Sequence, residues 1–301
     1  MNELPGPDTG LPAPPFCPRH PDRESWVRCQ RCGRPVCAQC QRPAAVGVHC
    51  VDCVAEAAHG SRTPRTRFGG QLRGRDALVT KVIVGLCLAV WVGELVRPAL
   101  VVDFGFAPVV GWSEPWRAIT GAFLHDRSSP MHVGFNMFSL WVFGTALEPS
   151  LGRVRFALLY LVSAVGGAAA IVLLAAAPAA GTLGRTVQQT NPSWVTLTVG
   201  ASAAIFGLFG AYMVINRGLG RSNSGMWTLL VANAVFGFLV PNVSWQGHLG
   251  GLLTGAACGG VLMATRDPGR RRWAVPGLLA VLAVVVALAA VKYAGVSPLY
   301  R

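Results

Sequence analysis

The stretch GHLGGLLTGAACGG, residues 247–260, decides how this chain is read. It places Gly247, Gly251, Gly255 and Gly259 at every fourth position of an otherwise apolar run. Four residues is close to one helical turn, so the glycines share a face, and small residues on one face let two backbones approach inside a membrane. A second stretch has the same character: TVGASAAIFGLFGA, residues 198–211, offers Gly200 and Ala204, then Ala203, Gly207 and Ala211, at the same spacing. Each stretch carries one group out of place in lipid, His248 in the first and Ser202 in the second. Two such ridges in contact bring Ser202 within hydrogen-bond reach of His248, a serine nucleophile beside a histidine base. The plain alternative is a serine that packs or bonds back to its own helix, beside glycines that only make helix contacts.

Composition agrees with a membrane setting. The 301 residues are 52% hydrophobic and 13% charged, where a soluble domain carries about 25% charged residues. The net charge of +13 is the kind of excess that marks nucleic-acid partners, but its placement points elsewhere. The arginines lie in a basic segment (Arg62, Arg65, Arg67, Arg73, Arg75) and in short loops between apolar runs, so nucleic acid is not expected as a partner. No cleavable signal peptide is visible in the polar first 60 residues.

Apolar runs near 77–96, 130–148, 154–177, 195–215, 226–241, 245–265 and 273–296 predict seven membrane spans, six and a carboxy-terminal extra. The basic segment, Arg153 with Arg155, Arg217 with Arg221, and Arg266 with Arg270 to Arg272 all fall on one side. Arg185, Lys292 and Arg301 lie opposite. The positive-inside rule then predicts a multi-pass cell-membrane protein with a cytoplasmic amino terminus and an extracellular carboxy terminus. Residues 98–129, rich in aromatics (Phe104, Phe106, Trp112, Trp116, Phe123), read as an interfacial element at the headgroups. Polar groups within the spans are functional candidates. His132 and Asn136 stand at i and i+4 of one helix face, and they share with Ser202 and His248 the outer half of the membrane. Donors so placed suit a developing oxyanion.

The amino-terminal end is a different material. Seven of the nine cysteines lie between Cys17 and Cys53, in the clusters CPRH (17–20), CQRC (29–32), CAQC (37–40) and HCVDC (49–53). Pairs of ligands two residues apart turn around one tetrahedral zinc, and four pairs make two sites. The expected ligands are Cys17, His20, Cys29, Cys32, Cys37, Cys40, Cys50 and Cys53. His49 competes with Cys50, which keeps the two-residue spacing. A disulfide framework is the rival reading and would need an oxidising compartment. The pattern resembles B-box zinc fingers, and that resemblance implies that the first and third pairs share one metal and the second and fourth the other. The expected organisation is a double zinc-binding domain over 1–60, a basic linker over 61–76 and a transmembrane domain over 77–301.

From about Trp116 to Gly260 the chain resembles the rhomboid family of intramembrane serine proteases. The matching stretches are WR (116–117), FLH followed by HVGFN (123–136), ALE (146–148), GAS within GASAAIFG (200–207) and GHLGG (247–251). The resemblance implies an all-α polytopic fold, a six-helix core plus one carboxy-terminal helix, with Ser202 as nucleophile and His248 as general base. It implies His132, Asn136 and the Ser202 amide as oxyanion donors, and structural roles for His125, Trp116, Arg117 and Glu148. No cofactor is implied for catalysis. The implied partners are transmembrane protein substrates and the bilayer, with room for a cytoplasmic protein partner of the zinc domain. Two positions depart from the family pattern. Ala203 replaces the usual glycine after the nucleophile, where a methyl would crowd the contact between spans 4 and 6 or narrow substrate access. Phe206 stands where some members have tyrosine. An inactive rhomboid-like protein that binds membrane helices is the alternative from another class. A transporter would show internal repeats, and none is evident.

Overall fold

Paired cysteines at the amino end and long apolar runs beyond them fold by different means. The computed structural model describes residues 13–60, 66–70, 76–177, 192–239 and 244–298. Its contacts divide the chain into two units, Met1–Thr63 and Pro64–Arg301. The expected linker falls largely outside the described residues, as do Arg62, Arg65, Arg73, Arg75, Arg185 and Arg301.

In the first unit, β1 (Phe16–Cys17) pairs antiparallel with β2 (His20–Glu24), and β3 (Gln41–Pro43) with β4 (Val48–Cys50). Helix α1 (Val51–Gly60) follows. The hydrophobic core of this unit consists of Cys17, Cys29, Cys37, Cys40, Cys50 and Cys53 with Val36, so sulfur stands where a larger domain has aliphatic side chains.

The second unit contains α2 (Leu78–Val96), three short helices α3 (Ala99–Phe104), α4 (Pro108–Gly111) and α5 (Arg117–Thr120), then α6 (Pro130–Leu151) and α7 (Arg153–Leu174). After a short α8 (Pro192–Val195) come α9 (Ser202–Gly218), α10 (Ser224–Leu239), α11 (Trp245–Ala264) and α12 (Ala274–Ala294). Among the described residues, α2, α7, α11 and the segment Arg271–Ala294 are long and apolar enough to cross a bilayer. Helix α6 has 22 residues but carries His132, Asn136, Glu148 and an internal Pro149. Helices α9 and α10 are short, at 17 and 16 residues. The chain is a multi-pass, mainly helical membrane protein.

Local chemistry sets the helix ends. Ser129 caps α6 by accepting the His132 N–H, with Pro130 in the first turn, and Ser244 caps α11 by accepting the Gly247 N–H. Glu148, buried inside α6, accepts from the N–H groups of Val79 and Thr80 and from the Thr80 hydroxyl at 2.8–2.9 Å. It satisfies amides that α2 leaves unpaired at its first turn.

Helix α9 lies at the centre, buried from Ala204 to Ala211 and packed in one core with side chains of α2, α6, α7 and α11. The outward faces of α2, α6 and α12 are apolar (Val82, Leu86 and Val92; Phe138 and Trp141; Val284 and Val291). That is the reverse of a water-facing helix and what lipid contact requires. In the aromatic segment Trp112 and Trp116 are exposed, whereas Phe106 is buried in a second core with Trp194, Val172 and Tyr293.

One boundary differs from expectation. The fourth span was expected from 195, but α9 begins at Ser202. Before it, Thr198 forms a β-bridge with Phe106, the two residues exchanging N–H to carbonyl bonds at 2.7 and 3.0 Å. The run VTLTV at 195–199 is apolar enough to read as membrane helix, yet its β-branched side chains favour extended backbone.

Candidate active site

The ridges meet in register. A methyl on Gly251 would run into the Ala203 carbonyl, one on Gly255 into the Gly207 backbone, and one on Gly259 would come 2.9 Å from the Ala211 Cα. The step of four is therefore matched on both helices, Ala203, Gly207 and Ala211 on α9 against Gly251, Gly255 and Gly259 on α11. Gly247 leaves this row and lies against Ile171 of α7.

At the end of the contact, His248 Nε2 and Ser202 Oγ stand 2.8 Å apart. The imidazole is stacked on Phe206, with ring centroids 4.2 Å apart and planes inclined by 10°. Phe206 thus fixes the ring plane, and no tyrosine hydroxyl is needed for the stacking. Ser202 is the first residue of α9, so its N–H belongs to the group that has no acceptor within the helix and lies at the positive end of the helix dipole. Gly200, two residues earlier, has φ +126°, where L side chains are strained. A Cβ there would lie 3.2 Å from His132 Cε1 and 3.6 Å from Ser202 Oγ. Glycine at 200 therefore turns the chain into α9 and keeps the space between His132 and Ser202 open.

A cavity of about 540 Å³ opens on these groups, lined among others by His125, His132, Gly200, Ser202, Ala203 and His248. Asn136 is not among its lining residues. It is buried, and its Nδ2 donates to the His132 carbonyl at 2.9 Å, back along its own helix.

The Ala203 methyl faces Gly167 of α7, where an added Cβ would lie 2.5 Å away. The contact with α11 is made by the Ala203 backbone. The expected crowding between spans 4 and 6 therefore does not arise, because the side chain points to a third helix that has a glycine to receive it.

The remaining residues brace the site. His125 is fully buried, and burial first, then the neighbouring His132, lowers its pKa to about 4, so it is neutral at physiological pH. Its backbone N–H donates to both oxygens of the Glu94 carboxylate at 3.0 and 3.3 Å, and its ring lies 5.6 Å from that of His132. Arg117 donates to Glu114 at 2.6 Å and to the carbonyls of Val102 and Gly105 at 2.6 and 3.1 Å, tying three turns of the interfacial segment together. Glu94 and Glu114 carry this bracing with His125 and Arg117 but were not singled out from sequence. The signal for Glu94 was an acid inside an otherwise apolar span.

In the first unit, Cys17, His20, Cys37 and Cys40 form one group and Cys29, Cys32, Cys50 and Cys53 another, with all donor atoms of a group within 4.8 Å of one another. This is the alternating arrangement of pairs, and His49 belongs to neither group. The Cys17 thiol is lowered to about 6, chiefly by the Cys37 backbone N–H. Cys29 also falls to about 6, because the backbone N–H groups of Cys50, Cys32 and Arg31 outweigh the opposing effect of burial. In the same groups Cys40 is pushed up to about 11, chiefly by burial, and Cys53 to about 12, chiefly by Cys50. Amides thus favour a first thiolate at each centre, and a bound cation would relieve the repulsion among the rest.

Residues 112–265 match the Rhomboid domain family model. Rhomboid protease GluP of Bacillus subtilis (strain 168) is 32% identical over 152 residues, 49% of this chain and 26% of GluP. YdcA of the same organism is 36% identical over 165 residues, 53% of this chain and 71% of YdcA. RHOMBOID-like protein 6, mitochondrial, of Arabidopsis thaliana is 32% identical over 168 residues, 54% of this chain and 48% of that protein. The chain thus spans about a quarter of GluP and about half of the Arabidopsis protein. The matched region contains the paired ridges, the Ser202–His248 contact and the histidines beside it, and by that match the chain belongs to the rhomboid family.

Proposed function

We propose that the protein is an intramembrane serine endopeptidase that hydrolyses peptide bonds in or near transmembrane segments of membrane proteins. The observation that carries this reading is the 2.8 Å contact of His248 Nε2 with Ser202 Oγ, made between residues 46 apart in the chain and opening on a cavity. His248 carries its proton on Nδ1 and accepts the Ser202 proton at Nε2 as Oγ attacks the carbonyl. The oxyanion is held by the Ser202 N–H at the positive end of α9, by His132, and by the second amide hydrogen of Asn136. His248 returns the proton to the leaving amine, and water, activated in turn by His248, hydrolyses the acyl-enzyme. A substrate helix has to unwind at the cut, since helical carbonyls are already hydrogen-bonded. Segments with small or helix-breaking residues suit it best.

The decisive experiment is cleavage of a single-span reporter in proteoliposomes by the intact chain, Ser202→Ala and His248→Ala. Each variant is expected to lose about 1,000-fold or more. Cleavage falls as pH drops through the titration of His248, because the base must be neutral. No cleavage by the intact chain, together with no labelling of Ser202 by a fluorophosphonate, would favour the inactive helix-binding reading instead.

The two Cys/His groups are proposed to hold one structural zinc ion each, since their sulfur-rich, four-donor sets suit tetrahedral zinc. The zinc unit is proposed to lie in the cytoplasm, where a protein partner would meet it, with the carboxy terminus outside. Metal analysis of the purified chain and protease protection in sealed vesicles test these two statements.

A further inference from the structure

The last helix makes a polar contact deep in the fold. Tyr293, near the end of α12 and 4% exposed, donates its hydroxyl to the Pro108 carbonyl at 2.8 Å, across 185 residues of sequence. Its ring is flanked by Trp112 at 5.7 Å and Trp194 at 5.9 Å. Pro108 opens α4, and Gly111 closes it so tightly that a methyl there would strike the Tyr293 hydroxyl and come 2.9 Å from the Phe106 ring. Phe106 in turn is paired with Thr198 through both backbone bonds, and the Thr198 hydroxyl adds a third at 2.9 Å. Two residues on, the Gly200 N–H is fixed to the Gly121 carbonyl. Phe106, Thr198 and Gly200 all line the cavity that holds Ser202.

We infer that Tyr293 is a positioning residue for the Ser202 site: its hydroxyl anchors α4, and α4 holds the Phe106–Thr198 bridge that delivers Gly200 and Ser202 to the cavity. This inference rests on the proteolytic reading above. The seventh span is then the outer buttress of the strand that leads to the nucleophile, and it acts through α4 without touching substrate. The contact is between an O–H and a carbonyl inside an apolar cluster, so no titration near neutral pH modulates it.

The test compares the intact chain with Tyr293→Phe, which keeps both ring contacts and removes only the hydroxyl. Amide hydrogen exchange is measured over residues 104–124 and 192–201, alongside reporter cleavage in proteoliposomes. Faster exchange at Phe106 and Thr198 is expected, with amides of α9 and α11 unchanged. The expected kinetic signature is a fall in kcat of about three- to tenfold at nearly constant KM. Gly111→Ala, which displaces the hydroxyl from the other side, is expected to reproduce the exchange pattern. Unchanged exchange at Phe106 and Thr198 in Tyr293→Phe would overturn the inference. So would faster exchange with kcat unaltered, which would make the contact merely structural. If the intact chain itself neither cleaves nor labels, the proteolytic reading fails and the anchoring is decided by exchange alone.

Discussion

The two units solve the same problem with opposite means. The amino-terminal unit has almost no apolar interior, and eight Cys and His donors gathered in two groups take its place. The membrane unit has apolar side chains in excess, many facing outward, and its specificity comes from where side chains are missing, on the ridge of Gly251, Gly255 and Gly259. With the proposed zinc ions bound, one unit would be held by strong bonds to a few atoms; the other is held by many weak contacts that exist only because backbones come close. The lesson is that a small domain depends on its ligands, whereas a membrane bundle depends on its absences.

Metal removal is the sharpest way to break that contrast. Structural zinc supplies about 10–16 kcal/mol in comparable sites, so a strong chelator is expected to unfold residues 13–60, seen as rapid proteolysis of that unit. Reporter cleavage is expected to stay within about twofold. Loss of cleavage in parallel would mean that the membrane unit depends on the metal as well. A smaller effect, of about 1–3 kcal/mol, is expected from Gly255→Ala, since its methyl meets the Gly207 backbone rather than a movable side chain. The thermal midpoint of the membrane unit and cleavage should fall together while metal content is unchanged.

How much of this was legible differs between the units for a physical reason. The Cys and His donors come in pairs two residues apart, so spacing singles them out; which pairs gather into one group is set by the return of the chain, and only the family resemblance supplied it. Hydropathy located the spans but misread 196–201, because an apolar β-branched run looks alike as strand or buried helix. The depth shared by Ser202, His132 and His248 could be reasoned from topology. The direction of the Ala203 methyl could not, nor could the partner of Glu94, a backbone N–H at His125, 31 residues on. Asn136 lies on the His132 face as its spacing requires, yet its amide bonds to its own helix, a choice that spacing leaves open.

Acid sharpens the comparison further. His125 has a folded-state pKa of about 4 against an ordinary 6.5, so the unfolded chain takes up its proton first as pH falls. Stability of the membrane unit is then present in full above about 6.5 and is lost progressively as pH drops from there toward 4. Thermal midpoints measured across that window are expected to fall, and to fall less steeply in His125→Gln. The smallest effect is expected from Ala203→Gly. It removes one methyl contact with Gly167 and adds backbone freedom, so the midpoint should drop by less than about 1 kcal/mol equivalent and cleavage should stay within a few-fold. A large gain in cleavage would show that the methyl hinders substrate after all.

The shortness of α9 has a consequence of its own. Its 17 residues rise about 25 Å at 1.5 Å each, while the hydrocarbon layer is about 30 Å thick. On the proposed topology, an α9 standing along the bilayer normal with Arg217 at one interface would end, at Ser202, about 5 Å short of the opposite interface. Chain length alone then works as a depth gauge. Lengthening α9 by one turn would lift the hydroxyl out to the headgroups, and thickening the bilayer would sink it further, so lipid composition becomes a ruler against which the reach of the serine is set.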